Sequence, residues 1–386
     1  MGQAGKPDAK ASRLAVLLGF LQDDPDNLHL IGDAANAALD ESALDEAVIL
    51  LDRHRAIAPL PLPLVNVEGL VALRQGRLDD AAAAFDRLVS AGVSDPSVRF
   101  NRAWVHALTG EYEAALSLLD EDAVAVTPRA AALKVEMLHH LGRIEDALAA
   151  GQGMVERFPG NDLLLGSLSV AAMDADDLEL ARHYSQAAGG GVDALTTRGL
   201  LALNDDDAAD SIALFDQALA ARPDATRAWL GKGLGMLVHG DARDAVPALR
   251  RGAEILGDHL GSWIAVGWAQ LVSKDVAAAR ATFEHALSLD ENFAETHGGL
   301  AVIDIAEGDL EGAKRRANIA LRLDRECFGG MLARLLLSEA KGDEKTAQRI
   351  WDKAMETQAG AGGKTLARAM IGLGLDPSRV RRGGAA

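Results

Sequence analysis

Residues 308–313 read Gly308-Asp309-Leu310-Glu311-Gly312-Ala313, and the same phrase recurs as Gly-Arg-Leu-Asp-Asp-Ala at 76–81 and Gly-Glu-Tyr-Glu-Ala-Ala at 110–115. A Gly that follows a helix supplies the left-handed C-cap. Acidic residues just after it suit the positive end of a second helix. The phrase ends on a small residue, and that residue forms a ladder. Ala47, Ala81, Ala115, Ala147, Ala181, Ser211, Ala245, Ala279, Ala313 and Ala347 follow one another in steps of 34, 34, 32, 34, 30, 34, 34, 34 and 34. Self-similarity at that period is the mark of a helical repeat array.

Counting back 19 residues from each rung places ten repeat starts at Leu28, Leu62, Pro96, Pro128, Asp162, Val192, Thr226, Leu260, Ala294 and Phe328. A second ladder lies seven residues into each repeat: Ala35, Gly69, Ala103, Val135, Ser169, Gly199, Gly233, Gly267, Ala301 and Leu335. Small residues at matched depth on two helices let their backbones approach where the axes cross. Between the ladders, Gly76, Gly110, Gly142, Gly240, Gly308 and Gly342 share one phase, which Asp176 and Asp206 hold in two other repeats. Pro59, Pro159 and Pro223 close repeats at a common phase, held elsewhere by Asp193 and Gly257, while Pro96 and Pro128 stand close behind it in two more. Each repeat therefore reads as helix, tight turn, helix, breaker.

The chain has 386 residues, more than one compact core usually carries, and a repeat array escapes that limit because each repeat touches only its neighbours. Apolar residues make up 49% of it but aromatics only 4%, so the core is expected to be aliphatic and Ala-rich. The net charge of −18 disfavours nucleic acid and anionic membrane surfaces as partners, and leaves neutral or basic proteins open. The single cysteine, Cys327, cannot form an internal disulfide, and reads as a small apolar residue more readily than as a reactive thiol. No segment holds the about 20 apolar residues needed to cross a bilayer. A cytoplasmic location is the default expectation.

The ends differ from the middle. Pro25 stands at the breaker phase, so residues 11–27 fit the second helix of an incomplete repeat, with Leu14, Leu17, Leu18 and Leu21 on one face. This is expected to be an N-terminal capping helix behind a disordered segment 1–10. A signal peptide fits less well, since no small-residue cleavage site follows the apolar run. Ala187-Ala188-Gly189-Gly190-Gly191 accompanies the step of 30. It is either a joint between two lobes, 28–191 and 192–360, or a longer turn in one continuous solenoid. Residues 361–375 carry Leu366, Met370, Ile371 and Leu375 and are expected to cap the other end; residues 376–386 read as a disordered tail.

The pattern resembles the tetratricopeptide repeat over residues 28 to about 360. Repeat 8 places Trp263, Gly267, Ala279, Phe283 and Ala286 where the family's signature residues stand, and repeat 6 does so with Leu195, Gly199, Phe215, Ala218 and Pro223. The resemblance implies an all-α, right-handed α-solenoid superhelix of antiparallel helix pairs. Departures are His54 at a small-residue position, Gly151 at an aromatic one and Arg99 at another; less regular packing is expected there. The resemblance further implies that the second, fifth, ninth, twelfth and thirteenth residues of a repeat line a concave groove. Those positions hold Asn66, Leu70, Leu73 and Arg74 in repeat 2, and Phe100, Trp104 and Leu108 in repeat 3. Repeat 7 supplies Leu230, Leu234 and Leu237, repeat 8 Ile264, Trp268 and Leu271, and repeat 10 Leu332 and Leu336. Such a surface either accepts an amphipathic helix or extended peptide, with Trp104 and Trp268 as anchors, or is buried within the chain. The clamp that one family subtype uses for carboxyl-terminal peptides is not matched. Asn36, Asn66 and Asn101 are present, but Gly32 and Ser97 stand where its basic residues would be.

Motifs for chemistry are weak. Gly362-Gly363-Lys364-Thr365 ends like a phosphate-binding loop but lacks the earlier Gly, with Gln358 in its place. His139 and His140 are adjacent, so on a helix they point about 100° apart and do not readily chelate one metal. Acidic runs such as Asp205-Asp206-Asp207 read as solvated turns rather than a desolvated acid–base pair. The chain is therefore expected to have no catalytic, metal or cofactor site. The leading expectation is a non-enzymatic adaptor or scaffold, possible in chaperone-like or complex-assembly roles, that binds a protein or peptide in the groove. The alternatives are a self-assembling homo-oligomer and a regulatory arm of an enzyme complex.

Overall fold

A computed structural model describes residues 12–343 together with Lys345 and Arg349. The expected segments 1–10, 361–375 and 376–386, Gly362-Gly363-Lys364-Thr365 and the rung Ala347 lie outside the described residues. The described secondary structure is helical, with no strand. It comprises α1 (Arg13–Asp23), then α2 (Leu28–Asp40), α3 (Leu44–Ile57), α4 (Leu62–Arg74), α5 (Leu78–Ser90) and α6 (Pro96–Leu108). Next come α7 (Tyr112–Leu118), α8 (Glu121–Val124), α9 (Pro128–His140), α10 (Ile144–Val155) and α11 (Asp162–Asp174). The rest are α12 (Leu178–Ala187), α13 (Val192–Asn204), α14 (Ala208–Ala221), α15 (Thr226–His239), α16 (Ala242–Leu256), α17 (Leu260–Val272), α18 (Val276–Leu289), α19 (Ala294–Glu307), α20 (Leu310–Leu323) and α21 (Phe328–Ala340).

Every one of the ten repeat starts read from the ladder is the first residue of a helix. The turn phase is equally regular. Gly76, Gly110, Gly142, Gly240, Gly308 and Gly342 all have positive φ, as do Asp176 and Asp206. The two repeats without an obvious turn residue use Ser42 (φ 60°) and Lys274 (φ 67°) at the same phase. A left-handed residue closes the first helix of every repeat whatever its side chain, at a cost of about 1–2 kcal/mol where it is not Gly. The backbone path, rather than local preference, sets this conformation.

All nine described rungs of the first ladder are fully buried. The second ladder explains why small residues are needed. A Cβ on Gly69 would come within 2.8 Å of the Phe85 ring, one on Gly199 within 2.8 Å of Phe215, and one on Gly267 within 2.7 Å of Phe283. Those three rings are fully buried and share one repeat phase, sixteen residues on from their glycines. Repeat 4 was expected to pack less regularly because Gly151 occupies the ring's phase. It instead exchanges the two sizes. Val135 is the bulky partner on the first helix, and a Cβ on Gly151 would lie 2.9 Å from its Cγ2 and 2.4 Å from Leu168 Cδ2. Val135 and Leu168 together fill the space that the ring takes in repeats 2, 6 and 8. His54 is likewise buried, with its Nδ1 3.3 Å from the Ala58 carbonyl oxygen. Arg99 folds back, donating from Nη1 to the Ser94 carbonyl at 2.8 Å and pairing with Asp120. Among the described second helices, that of repeat 3 is the one that breaks, into α7 and α8, where Asp120 accepts from the Ala123 N–H at 2.9 Å. The ladder step of 32 follows from that break.

The chain divides into two compact units, Met1–Ala171 and Ala172–Ala386, the division falling within α11. In the N-terminal unit, α1 packs on α2, with Leu14 and Leu21 buried in a core with Ile31, Ala35, Leu50 and Leu64. In the C-terminal unit, Ala188–Gly190 form the turn between α12 and α13, which pack against each other.

Side-chain capping differs between the units. In the N-terminal unit Asn27, Asp95, Thr127 and Asn161 cap first helices, while Ser12 caps α1 and Asp120 caps the short α8. Helices α3, α5, α7 and α10 follow Ala43, Arg77, Glu111 and Arg143 and have no side-chain cap. In the C-terminal unit Asp177, Asp207, Asp275 and Asp309 cap second helices, each accepting a backbone N–H three residues on.

Candidate protein-interaction surface

Helix α6 carries Phe100, Trp104 and Leu108 at intervals of four, so the three share one face. Phe100 and Trp104 are half-buried, with ring centroids 6.1 Å apart, and both lean on a core that includes Ala103, Ala115, Leu119 and Leu133. Arg129, at the second position of α9, lays its guanidinium over the Trp104 ring at 4.3 Å. This is cation–π range. Leu108 remains 51% exposed. A large aromatic is thus fixed from below by packing and from the side by a cation, and an exposed apolar residue stands one turn further on.

Helix α4 contributes Asn66, Leu70 and Arg74 at the same positions of the preceding repeat. Leu70 is half-buried between two cores. Arg74 donates from Nη1 to the Leu39 carbonyl at 2.7 Å, which occupies one of its donors. Asn66 Oδ1 is buried and accepts no hydrogen bond among the described residues. Arg129 was not singled out in the sequence. It is the second residue of its repeat, the first of the inward positions, and that phase was the signal available.

The C-terminal unit treats the same positions differently. Ile264 and Trp268 are each only 7% exposed. Trp268 sits edge-on between Phe283 (5.7 Å) and Phe328 (5.0 Å), and Leu271 and Leu336 pack into the same core. Leu332 and Leu237 are buried, and Leu230 packs where a Cβ on Gly252 would meet its Cδ2 at 2.7 Å. Leu234 keeps 40% exposure. The structure therefore brings Phe100, Trp104 and Arg129 together as a solvent-accessible cluster, whereas it commits Ile264 and Trp268 to the interior.

Two clefts lie elsewhere and are walled by ion pairs. One of about 330 Å³ is lined by Val48, Leu51, Arg55, Glu68 and Arg87; Glu68 bridges Arg55 (2.6 Å) and Arg87 (2.9 Å). The other, of about 520 Å³, holds buried Asp304 between Arg280 (2.8 Å) and Arg316 (3.0 Å). Hydrogen bonds that Arg280 donates to the Glu307 and Asp304 carboxylates push its pKa up. In each cleft the charges bond one another across consecutive repeats, which braces the stack. Cys327 is buried at the start of α21, with Sγ 3.5 Å from Glu295 Oε2. Burial and the Glu295 carboxylate push its thiol up to about 12, so it is protonated at neutral pH. No group of three or more His, Cys, Asp or Glu residues suited to a metal occurs among the described residues, and no described helix is long and apolar enough to cross a membrane.

The tetratricopeptide-repeat family profile matches residues 66–128 and 196–255. A comparison with curated proteins gives no match. Among solved structures, the hetero-tetramer Cut9–Hcn1 of the APC/C aligns with a TM-score of 0.52 at 15% identity, covering 88% of this chain and 76% of that one. The human IFIT1 dimer with m7Gppp-AAAA aligns with a TM-score of 0.52 at 12% identity, covering 98% of this chain and 96% of that one. At such identities the likeness is one of fold. With ten helix-starting repeat phases, the buried small-residue ladder and the profile matches in both units, this chain carries tetratricopeptide repeats within an all-α helical repeat fold.

Proposed function

We propose that the α4–α6–α9 face is the partner-binding surface of a protein-interaction scaffold, and that its occupant is an apolar segment of another protein. Tetratricopeptide-repeat proteins are generally scaffolds rather than enzymes. The observation that carries the reading is the Phe100–Trp104–Arg129 cluster beside exposed Leu108. Half-buried aromatics held by packing are the residues that dominate binding hot spots. The partner inserts a large apolar side chain between Trp104 and Leu108. A backbone carbonyl or carboxylate next to it accepts from the exposed Arg129 guanidinium. The net charge of −18 favours a protein over a phosphate-rich ligand.

A photo-crosslinking side chain placed at position 108 of the full chain tests this, with one at exposed Ile49 as the control surface. A single partner should be captured at 108 and not at 49, and recovery should fall at least about tenfold in Phe100→Ala/Trp104→Ala, a loss of at least about 1.4 kcal/mol. Equal recovery from the folded double variant overturns the reading.

A further inference from the structure

We propose that helix α1 is a self-association surface, pairing antiparallel with α1 of a second copy of this chain. The proposal is independent of the partner-binding face. Helix α1 reads Arg-Leu-Ala-Val-Leu-Leu-Gly-Phe-Leu-Gln-Asp and is apolar on every side from Leu14 to Leu21. A helix apolar all round is normally covered all round. Here Leu14 and Leu21 are buried against α2, while Leu17 and Leu18 are half-buried on the same core. The opposite side exposes Ala15, Val16, Gly19 and Phe20 as one stripe, with Val16 43% and Phe20 55% exposed. Among the described residues nothing stands beside Gly19 within 4 Å of where a Cβ would be, so another helix can approach closely there.

The charges identify the occupant. Arg13 and Asp23 are the only charged residues of α1, and no ion pair of either is found with a described residue. They lie about 15 Å apart along the axis at 1.5 Å per residue. The stripe from Ala15 to Phe20 is centred between them. A second α1 laid antiparallel therefore brings its Asp23 beside this Arg13 and its Arg13 beside this Asp23, with the two Gly19 residues near the axis. A parallel arrangement would juxtapose like charges. The contact is isologous and closes at two chains. One such helix covers less than the roughly 800 Å² per partner of a standard stable interface, so the dimer is weak and concentration-dependent.

The full chain is examined by light scattering or sedimentation from about 1 µM to about 300 µM, a range that brackets a weak dimer. The wild type should pass from monomer to dimer. Phe20→Glu and Val16→Lys, both at exposed positions, should each weaken association at least about tenfold while leaving the helical signal and thermal midpoint unchanged. Asp23→Arg should weaken it, and Arg13→Asp combined with Asp23→Arg should restore it. A monomer at every concentration overturns the proposal, as does a dimer indifferent to both Phe20→Glu and Val16→Lys. Association unaffected by Asp23→Arg, or not recovered by the double reversal, overturns the antiparallel register.

Discussion

Trp104 and Trp268 occupy the same ninth position of their repeats, yet one faces solvent over an arginine and the other lies inside a core. The difference arises two repeats further along the chain. Helices α19 and α21 approach at Gly298 and Gly329, where a Cβ on Gly298 would come 2.6 Å from the Gly330 nitrogen. Glu295, whose pKa is raised by burial, accepts from the Gly329 N–H at 2.9 Å and ties the start of α21 to α19. That brings Phe328 onto the Trp268 ring. In the N-terminal unit the nearest equivalent partner is Arg129, an exposed cation that leaves its ring accessible. A repeat position therefore does not have a fixed exposure. Its exposure depends on how closely the following first helices pack, and a pair of glycines can change that.

If that account holds, truncating the two tryptophans will have unequal effects. Trp268→Ala should cost about 3–5 kcal/mol of stability, read as a lowered urea midpoint, whereas Trp104→Ala should cost about 1 kcal/mol. Equal losses would mean that the two faces are equally packed. Gly298→Val places side-chain atoms against backbone and should cost about 1–3 kcal/mol by prising α21 from α19; Gly19→Val, in open space, should be nearly neutral. Repeat 4 allows a test of the exchanged sizes. Gly151→Leu should lose about 2 kcal/mol alone, and adding Val135→Gly should recover about half of it, a coupling that a double-mutant cycle measures. The smallest effects concern the caps and turns. Asp207→Ala should cost about 1 kcal/mol and Arg77→Ala less than about 0.5 kcal/mol, because only the first accepts a backbone N–H. Lys274→Gly should stabilise the C-terminal unit by about 1 kcal/mol by relieving a left-handed φ.

Much of the fold was legible in the sequence. The ladder from Ala47 to Ala347 set the phase, and all ten helix starts followed from it, because a backbone crossing tolerates only small residues and so leaves a periodic trace. The turn phase was readable where Gly or Asp held it and hidden at Ser42 and Lys274, where the geometry is imposed on residues with no preference for it. Gly151 looked like a defect because its compensation, Val135, lies on the other helix of the pair. The break between α7 and α8 left only the shortened step as a sign.

The candidate surface was legible in part. Phase alone placed Phe100, Trp104 and Leu108 on one face of α6, since side chains four apart on a helix share a side. It placed Trp268 at the same position with equal justification. Local sequence determines which helix face a residue occupies, through the fixed rotation of about 100° per residue. Whether that face is open depends on distances between helices that are dozens of residues apart in the chain. Only the tertiary structure decided that Phe328 would close over Trp268, that Arg129 would brace Trp104 without covering it, and that the outer stripe of α1 would have nothing from the described chain laid against it.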